Sequence, residues 1–258
     1  MSHRLHVFDE ERIEGPGWLE IRDLRRMPYR EALSLQRELQ AEVMASVAAG
    51  RPRGLLLLVE HDPPVITVSR RPGAPAHVLA DDDSLARIGV ERCETDRGGD
   101  VTYHGPGQLV AYPIVDLRQL GLKIHGWIRL LEEVVIDTLA AYSVDAGRDP
   151  GATGVWVGRG ASDVDGRGGR KIAALGVRVS RWVTMHGLAL NVDPDLSHFD
   201  LIVPCGLVGR PVTSMARERE GTAPAIDRVK ATLVRRFIER VDAPEPFREA
   251  ADRRAGSS

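Results

Sequence analysis

Residues 54–60 read Gly-Leu-Leu-Leu-Leu-Val-Glu, and no other stretch constrains the fold as much. A strand sends successive side chains to opposite faces, so an unbroken apolar run puts hydrocarbon on both. Both faces must then be covered, which calls for a sheet between two layers and not one with a wet side. The covering layers are legible as helices. Pro28 opens an apolar stripe over 29–48 (Leu33, Leu35, Leu39, Val43, Val47), which Gly50 stops. A second stripe over 124–142 carries Trp127, Leu130, Leu131, Val134, Val135, Thr138 and Leu139, and a third covers 225–241. With 258 residues the chain is long enough for one α/β domain with a central sheet flanked by helices and a smaller C-terminal portion.

The remaining segments supply strands and turns. Residues 18–24 alternate as a strand, and His61-Asp62-Pro63-Pro64 interrupts the long apolar run before 65–69 resumes it. A short helix with an acidic start fits 81–88, and a strand fits 90–95. Residues 100–103, the turn 104–108 and 109–115 read as strand, Gly-Pro-Gly turn, strand. Further strands are predicted at 155–157, 171–178 and 184–192. The Gly-, Asp- and Arg-rich stretch 159–170 reads as a flexible surface loop, and the polar tail 243–258 as disordered, leaving 1–242 as the domain.

Composition excludes several classes. A net charge of −2 gives no support to nucleic-acid binding, although Arg178, Arg181, Arg210 and Arg217 make a local patch suited to an acidic protein. The longest apolar stretch, 55–59, is far too short to span a membrane, and the start Met1-Ser2-His3-Arg4 has no signal-peptide run. The two cysteines, Cys93 and Cys205, are expected to be reduced thiols in a cytoplasmic protein. No metal or cofactor is expected.

Three segments place reactive groups among glycines. In Arg97-Gly98-Gly99-Asp100-Val101-Thr102-Tyr103-His104-Gly105-Pro106-Gly107-Gln108, glycines let the backbone approach a ligand while His104 can donate or accept at neutral pH. A plain Gly-rich hairpin with a surface histidine fits the same spacing. Lys171 opens the apolar run Ile172-Ala173-Ala174-Leu175-Gly176-Val177, with His186-Gly187 and Asn191 on the next strand. Such a lysine either snorkels to water or, partly desolvated, becomes a usable base. Cys205, between Pro204 and Gly206, sits at a bend after an apolar run, where the thiol is either a small core group or a nucleophile. Cys93, in Glu91-Arg92-Cys93-Glu94, has no such setting and reads as structural.

Taken together, the stretches RGGDVTYHGPGQ (97–108), KIAALGVRVSRWVTMHGLALNV (171–192) and FDLIVPCGL (199–207) resemble the octanoyltransferase family. Val212-Thr213-Ser214-Met215, Glu60-His61 with Pro63-Pro64, and Arg70-Arg71 also fit. The resemblance spans about residues 18–240 and rests on three ordered motifs. It implies the mixed-sheet fold of the biotin and lipoate protein ligases. It implies transfer of octanoyl from octanoyl-acyl carrier protein to a lysine of lipoyl domains, in 2-oxoacid dehydrogenases and the glycine cleavage H protein, by a monomer. The implied catalytic pair falls on Cys205 and Lys171. The implied substrate-binding residues are Arg97, Gly98, Gly99, Tyr103, His104, Gly105, Ala174, Leu175, Gly176, His186, Gly187 and Gly206. Backbone N–H groups at Gly206 and at the Gly98-Gly99 turn are the expected oxyanion donors. Two departures are a longer 159–170 loop and Trp182 where the family often has glycine. Two rival enzymes share parts of this pattern: an ATP-dependent lipoate- or biotin-protein ligase, and an amidotransferase moving octanoyl between lipoyl proteins. A carrier-protein-binding module with Cys205 in the core is the non-enzymatic alternative.

Overall fold

The computed structural model describes residues 3–8, 11–158, 169–203 and 210–242. The chain opens with a two-stranded antiparallel ribbon, β1 (His3–Phe8) and β2 (Glu11–Pro16). A seven-stranded sheet follows in the order β3 (Leu19–Met27), β4 (Gly54–His61), β8 (Gln108–Ile114), β12 (Val183–Asn191), β11 (Arg170–Ser180), β10 (Ala152–Val157) and β9 (Ala146–Asp149). Only β3 and β4 run parallel, so the sheet is mixed. A parallel pair needs a crossover, and helix α1 (Tyr29–Ala48) supplies it.

Strand β4 is buried along its whole length, as its sequence demands. Leu55, Leu57 and Val59 pack with Ala32, Leu39 and Val43 of α1. Leu56 and Leu58 join the opposite layer, made by α3 (Ile124–Ala140) and α5 (Ile226–Val241) with Leu131, Val134, Leu233 and Phe237. Helix α3 ends two residues before the predicted boundary, followed by Ser143 in a left-handed conformation (φ 59°).

A second sheet, not anticipated from the sequence, has the order β6 (Glu91–Thr95), β5 (Val65–Ser69), β7 (Val101–His104). Helix α2 (Asp82–Arg87), whose N-cap Asp81 accepts from Ser84 N, packs on β6. The strand-turn-strand reading of 100–115 needs correcting in its pairing. Strand β7 bonds to β5, while β8 bonds to β4 and β12, so the Gly-Pro-Gly turn crosses between sheets and closes no hairpin. Gly107 makes the crossing possible: at φ 81° its Cα lies where a Cβ would be 2.2 Å from Asp193 O. Strand β9 is an edge of Ala-Gly-Arg-Asp with no apolar alternation to announce it.

The predicted loop 159–170 falls at 159–168 outside the described residues, as do the tail 243–258 and Cys205 with Gly206. Arg170 belongs to β11 instead, held by a bidentate pair to Glu218 of the short helix α4 (Met215–Glu218), at 2.9 Å for each bond.

Candidate active site

A pocket, open at one side, lies where β7 crosses into the large sheet. Its walls come from Tyr29 at the start of α1, Arg97 and Gly99, Thr102 and His104 of β7, Val110 and Tyr112 of β8, residues 174–176 of β11 and residues 186–189 of β12. Gly176 and Gly187 face each other across β11 and β12 and leave the sheet bare there. Neither tolerates a side chain. A Cβ on Gly176 would lie 2.8 Å from Gly98 O, and one on Gly187 would lie 2.2 Å from Ala111 O.

Buried hydrogen bonds fix the protonation of the polar wall. Asn191 Nδ2 donates to Thr213 O (2.9 Å), and Gln108 Nε2 donates to Asn191 Oδ1 (2.9 Å) and Tyr103 O (3.3 Å). Gln108 Oε1 can then only accept, so His104 Nδ1 donates to it at 2.7 Å. Burial first, and repulsion from His61 and Arg97, hold His104 well below the usual histidine range. A neutral His104 with its proton on Nδ1 presents Nε2 as an acceptor. His61 follows the same logic. Its Nδ1 donates to Met27 O (3.0 Å), so Nε2 accepts from Tyr112 Oη (2.7 Å). Burial lowers His61 to about 4 and raises Tyr112 well above the usual tyrosine range, so both stay neutral. His186, at φ 60°, turns its ring to Asp96, 3.0 Å away. Burial lowers it to about 4 despite that carboxylate. Arg97 bonds Thr67 through Oγ1 and O, and the carbonyls of Gly98 and Asp100, at 2.9–3.1 Å.

Lys171 lies three residues before Ala174 on β11 and is buried, 7% exposed. Its backbone N donates to Pro211 O and its O accepts from Thr213 N, each at 2.9 Å. Its Nζ sits 4.7 Å from the centroid of the Trp156 ring. Cys205 and Gly206 lie outside the described residues; of the flanks, Val203 N donates to His77 O (2.8 Å), and Arg210 stacks 4.0 Å over Trp156. His77 Nδ1 in turn lies 2.8 Å from buried Asp100 Oδ2.

Of the residues singled out from sequence, Arg97, Gly99, His104, Ala174, Leu175, Gly176, His186 and Gly187 share the cavity. Gly98 touches β11 beside it, and its N–H is engaged with Val177 O (3.1 Å), which removes it as an oxyanion donor. Tyr103 and Gly105 do not line the cavity. Tyr103 packs with Phe199 in the core of the small sheet and meets His198 Nδ1 at 2.9 Å, and Gly105 gives its ring room. Sequence reasoning missed Tyr29, Thr102, Val110 and Tyr112, which sit in ordinary helix and strand patterns. Cys93 is a buried free thiol packed with Tyr29, Leu33, Val65 and Met185.

The arrangement is a partly open pocket where a small sheet meets a large mixed one. Solved structures of an archaeal bipartite lipoate protein ligase from Thermoplasma acidophilum (TM-score 0.64, 18% identity, 91% of this chain and 90% of that one) and of a lipoate-protein ligase A bound with ATP (0.60, 19%, 91% and 93%) share this fold. The class is therefore that of the lipoate and biotin protein ligase fold. The sequence model described as lipoyl protein ligase A/B catalytic domain matches residues 28–238. Similar curated proteins are octanoyltransferases of Solibacter usitatus (49% identity, 86% of this chain, 92% of the relative) and Chloroflexus aurantiacus (48%, 90% and 97%). The chain belongs to the octanoyltransferase family, whose members are acyltransferases.

Proposed function

We propose that this enzyme takes an octanoyl group from octanoyl-acyl carrier protein onto Cys205 as a thioester and passes it to a lysine of lipoyl domains, in 2-oxoacid dehydrogenases and the glycine cleavage H protein. The observation that carries the reading is the pairing of Lys171 with residues 211–213, which places this buried amine-bearing strand against the chain just beyond Pro204-Cys205-Gly206.

The chemistry follows from the groups. The Cys205 thiolate attacks the donor thioester carbon, and the carrier thiol leaves with the proton. A free thiol near pKa 8.5 is only a few per cent ionised at pH 7, so an adjacent amine that accepts or balances its proton matters. In the second step the acceptor amine attacks the Cys205 thioester, Lys171 takes its proton, and the thiolate leaves. Thioester-to-thioester exchange is nearly neutral in energy, whereas the amide is far more stable, so the cycle needs no ATP. Acid–base help of this kind contributes about 10²–10⁴-fold. Neutral His104 offers Nε2 as an acceptor for an incoming N–H. The apolar wall of Val110, Ala174 and Ala189, with the bare glycine pair beside it, suits an alkyl chain, whose full burial is worth on the order of 5 kcal/mol at about 0.8 kcal/mol per methylene. No helix among the described residues is long and apolar enough to cross a membrane.

Intact-mass analysis after incubation with octanoyl-acyl carrier protein tests the reading. A single octanoyl adduct without ATP, absent in Cys205→Ala, is the expected result. An undiminished adduct on Cys205→Ala, or transfer that requires ATP, would overturn it. Lys171→Ala should lose most of the transfer while remaining folded.

A further inference from the structure

Strand β10 is irregular where it passes Lys171. Its register shifts against β9 between Ala152 and Val155, and against β11 between Val155 and Trp156. Gly154, inside this bulge, adopts φ 131°. A Cβ there would come within 2.8 Å of Ala173 O, 3.1 Å of Lys171 Cε and 3.5 Å of Lys171 Nζ. Only a glycine leaves the lysine stem its path. The bulge is pinned from behind. Fully buried Glu132 of α3 accepts from Gly154 N (3.1 Å), Arg129 Nη1 (2.7 Å) and Arg148 Nε (3.1 Å). The next inward side chain, Trp156, is 1% exposed and anchored through Nε1 to Ala152 O (3.2 Å). Its ring carries Lys171 Nζ at 4.7 Å and the Arg210 guanidinium at 4.0 Å, the latter also paired with Asp149.

We propose that Trp156 is a positioning residue for the Lys171 amine, the bulged β10 strand being built so that the indole face and the Gly154 gap together aim that amine. The proposal rests on the reading of Lys171 as the proton-handling group. An aromatic face attracts a cation through its quadrupole, and a buried indole is the strongest such partner. A lysine stem has four rotatable bonds, and the indole face narrows the rotamers its amine samples. Transfer demands one geometry, and misplacement by about 1 Å is enough to slow a reaction strongly. The ring acts through Lys171 and touches no substrate group.

The test compares Trp156→Leu with Trp156→Phe, which keeps a ring. Trp156→Leu should lower kcat roughly 2- to 30-fold at unchanged KM for octanoyl-acyl carrier protein. Trp156→Phe should restore most of the loss. The chain holds only three lysines, Lys123, Lys171 and Lys230, so ¹³C-lysine labelling gives three resolvable ε-methylene signals. The Lys171 signal should be displaced by the indole ring current and return toward the exposed position in Trp156→Leu, or in Trp156→Met should the leucine variant not fold. Wild-type kcat in the non-aromatic variant, equal loss in the leucine and phenylalanine variants, or an unmoved Lys171 signal would each overturn the proposal. Normal turnover in Lys171→Ala would remove the underlying reading and this inference with it. Loss in Lys171→Ala with normal turnover in Trp156→Leu would remove this inference alone.

Discussion

At the scale of single residues the site is held by buried histidines kept neutral. His61 and His186 both titrate near 4 in the folded chain, against an ordinary value near 6.5, with burial as the first cause. The folded state therefore binds their protons less readily than the unfolded state. Their stabilising contribution is complete above pH 6.5 and is lost as pH falls from there toward 4. Between pH 7 and pH 5 each should remove about 2 kcal/mol of stability. His186→Asn isolates one of them. Asparagine tolerates the left-handed φ of 60° and carries no titrating group. Urea denaturation at the two pH values should show a loss about 2 kcal/mol smaller in the variant than in wild type. Identical losses would mean that His186 does not titrate as its burial requires. How much of this was legible varied by residue. His104 announced itself through the Gly-Pro-Gly turn beside it. Tyr29 and Tyr112 carried no such mark, because a wall residue inside a helix or strand looks like any core residue until the sheets are assembled.

At the scale of elements, strands whose hydrophobicity follows from their own burial were readable, and strands positioned by others were not. Strand β4 reads directly as a two-faced strand because both covering layers are written into its leucines. Edge strand β9 is invisible because its partners, not its composition, make it a strand. The β7-to-β8 crossing was legible as a turn but not as a change of sheet, since pairing partners are remote in sequence. The β11–β12 hairpin shows a third case. Arg181 and Trp182 occupy its tip at φ 47° and 71°, where two-residue turns favour Asn-Gly. The sequence departure at Trp182 is thus a left-handed position filled by a bulky residue, which stores on the order of 1 kcal/mol. Replacing Arg181-Trp182 by Asn-Gly should raise unfolding stability by about 1–2 kcal/mol in chemical denaturation. The backbone bond from Leu117 N to Trp182 O (2.9 Å) survives the change. A loss of stability would show that the half-exposed indole contributes more by packing than its backbone conformation costs.

At the scale of the molecule, the large sheet separates two tasks. The cavity, α1 and the small sheet lie on one face, and the α3–α5 layer lies on the other. Trp127 and Phe237 meet edge to face in that second layer, with ring centroids 6.2 Å apart. Phe237 is 1% exposed and is not among the residues that line the cavity. Phe237→Ala should therefore cost about 3–5 kcal/mol, the usual price of deleting a buried aromatic ring. For a chain of this size that lowers Tm by roughly 6–20 °C. Activity should respond differently. Below the new transition the folded variant keeps its sheet, its glycine pair and its histidine network, so kcat and KM should stay within about twofold of wild type. A thermal melt followed by steady-state assay at a temperature where the variant is fully folded makes the comparison. A fall in kcat proportionate to the stability loss, with the protein still folded, would mean that the α3–α5 layer reaches the site through the sheet, along the route from Glu132 to Gly154.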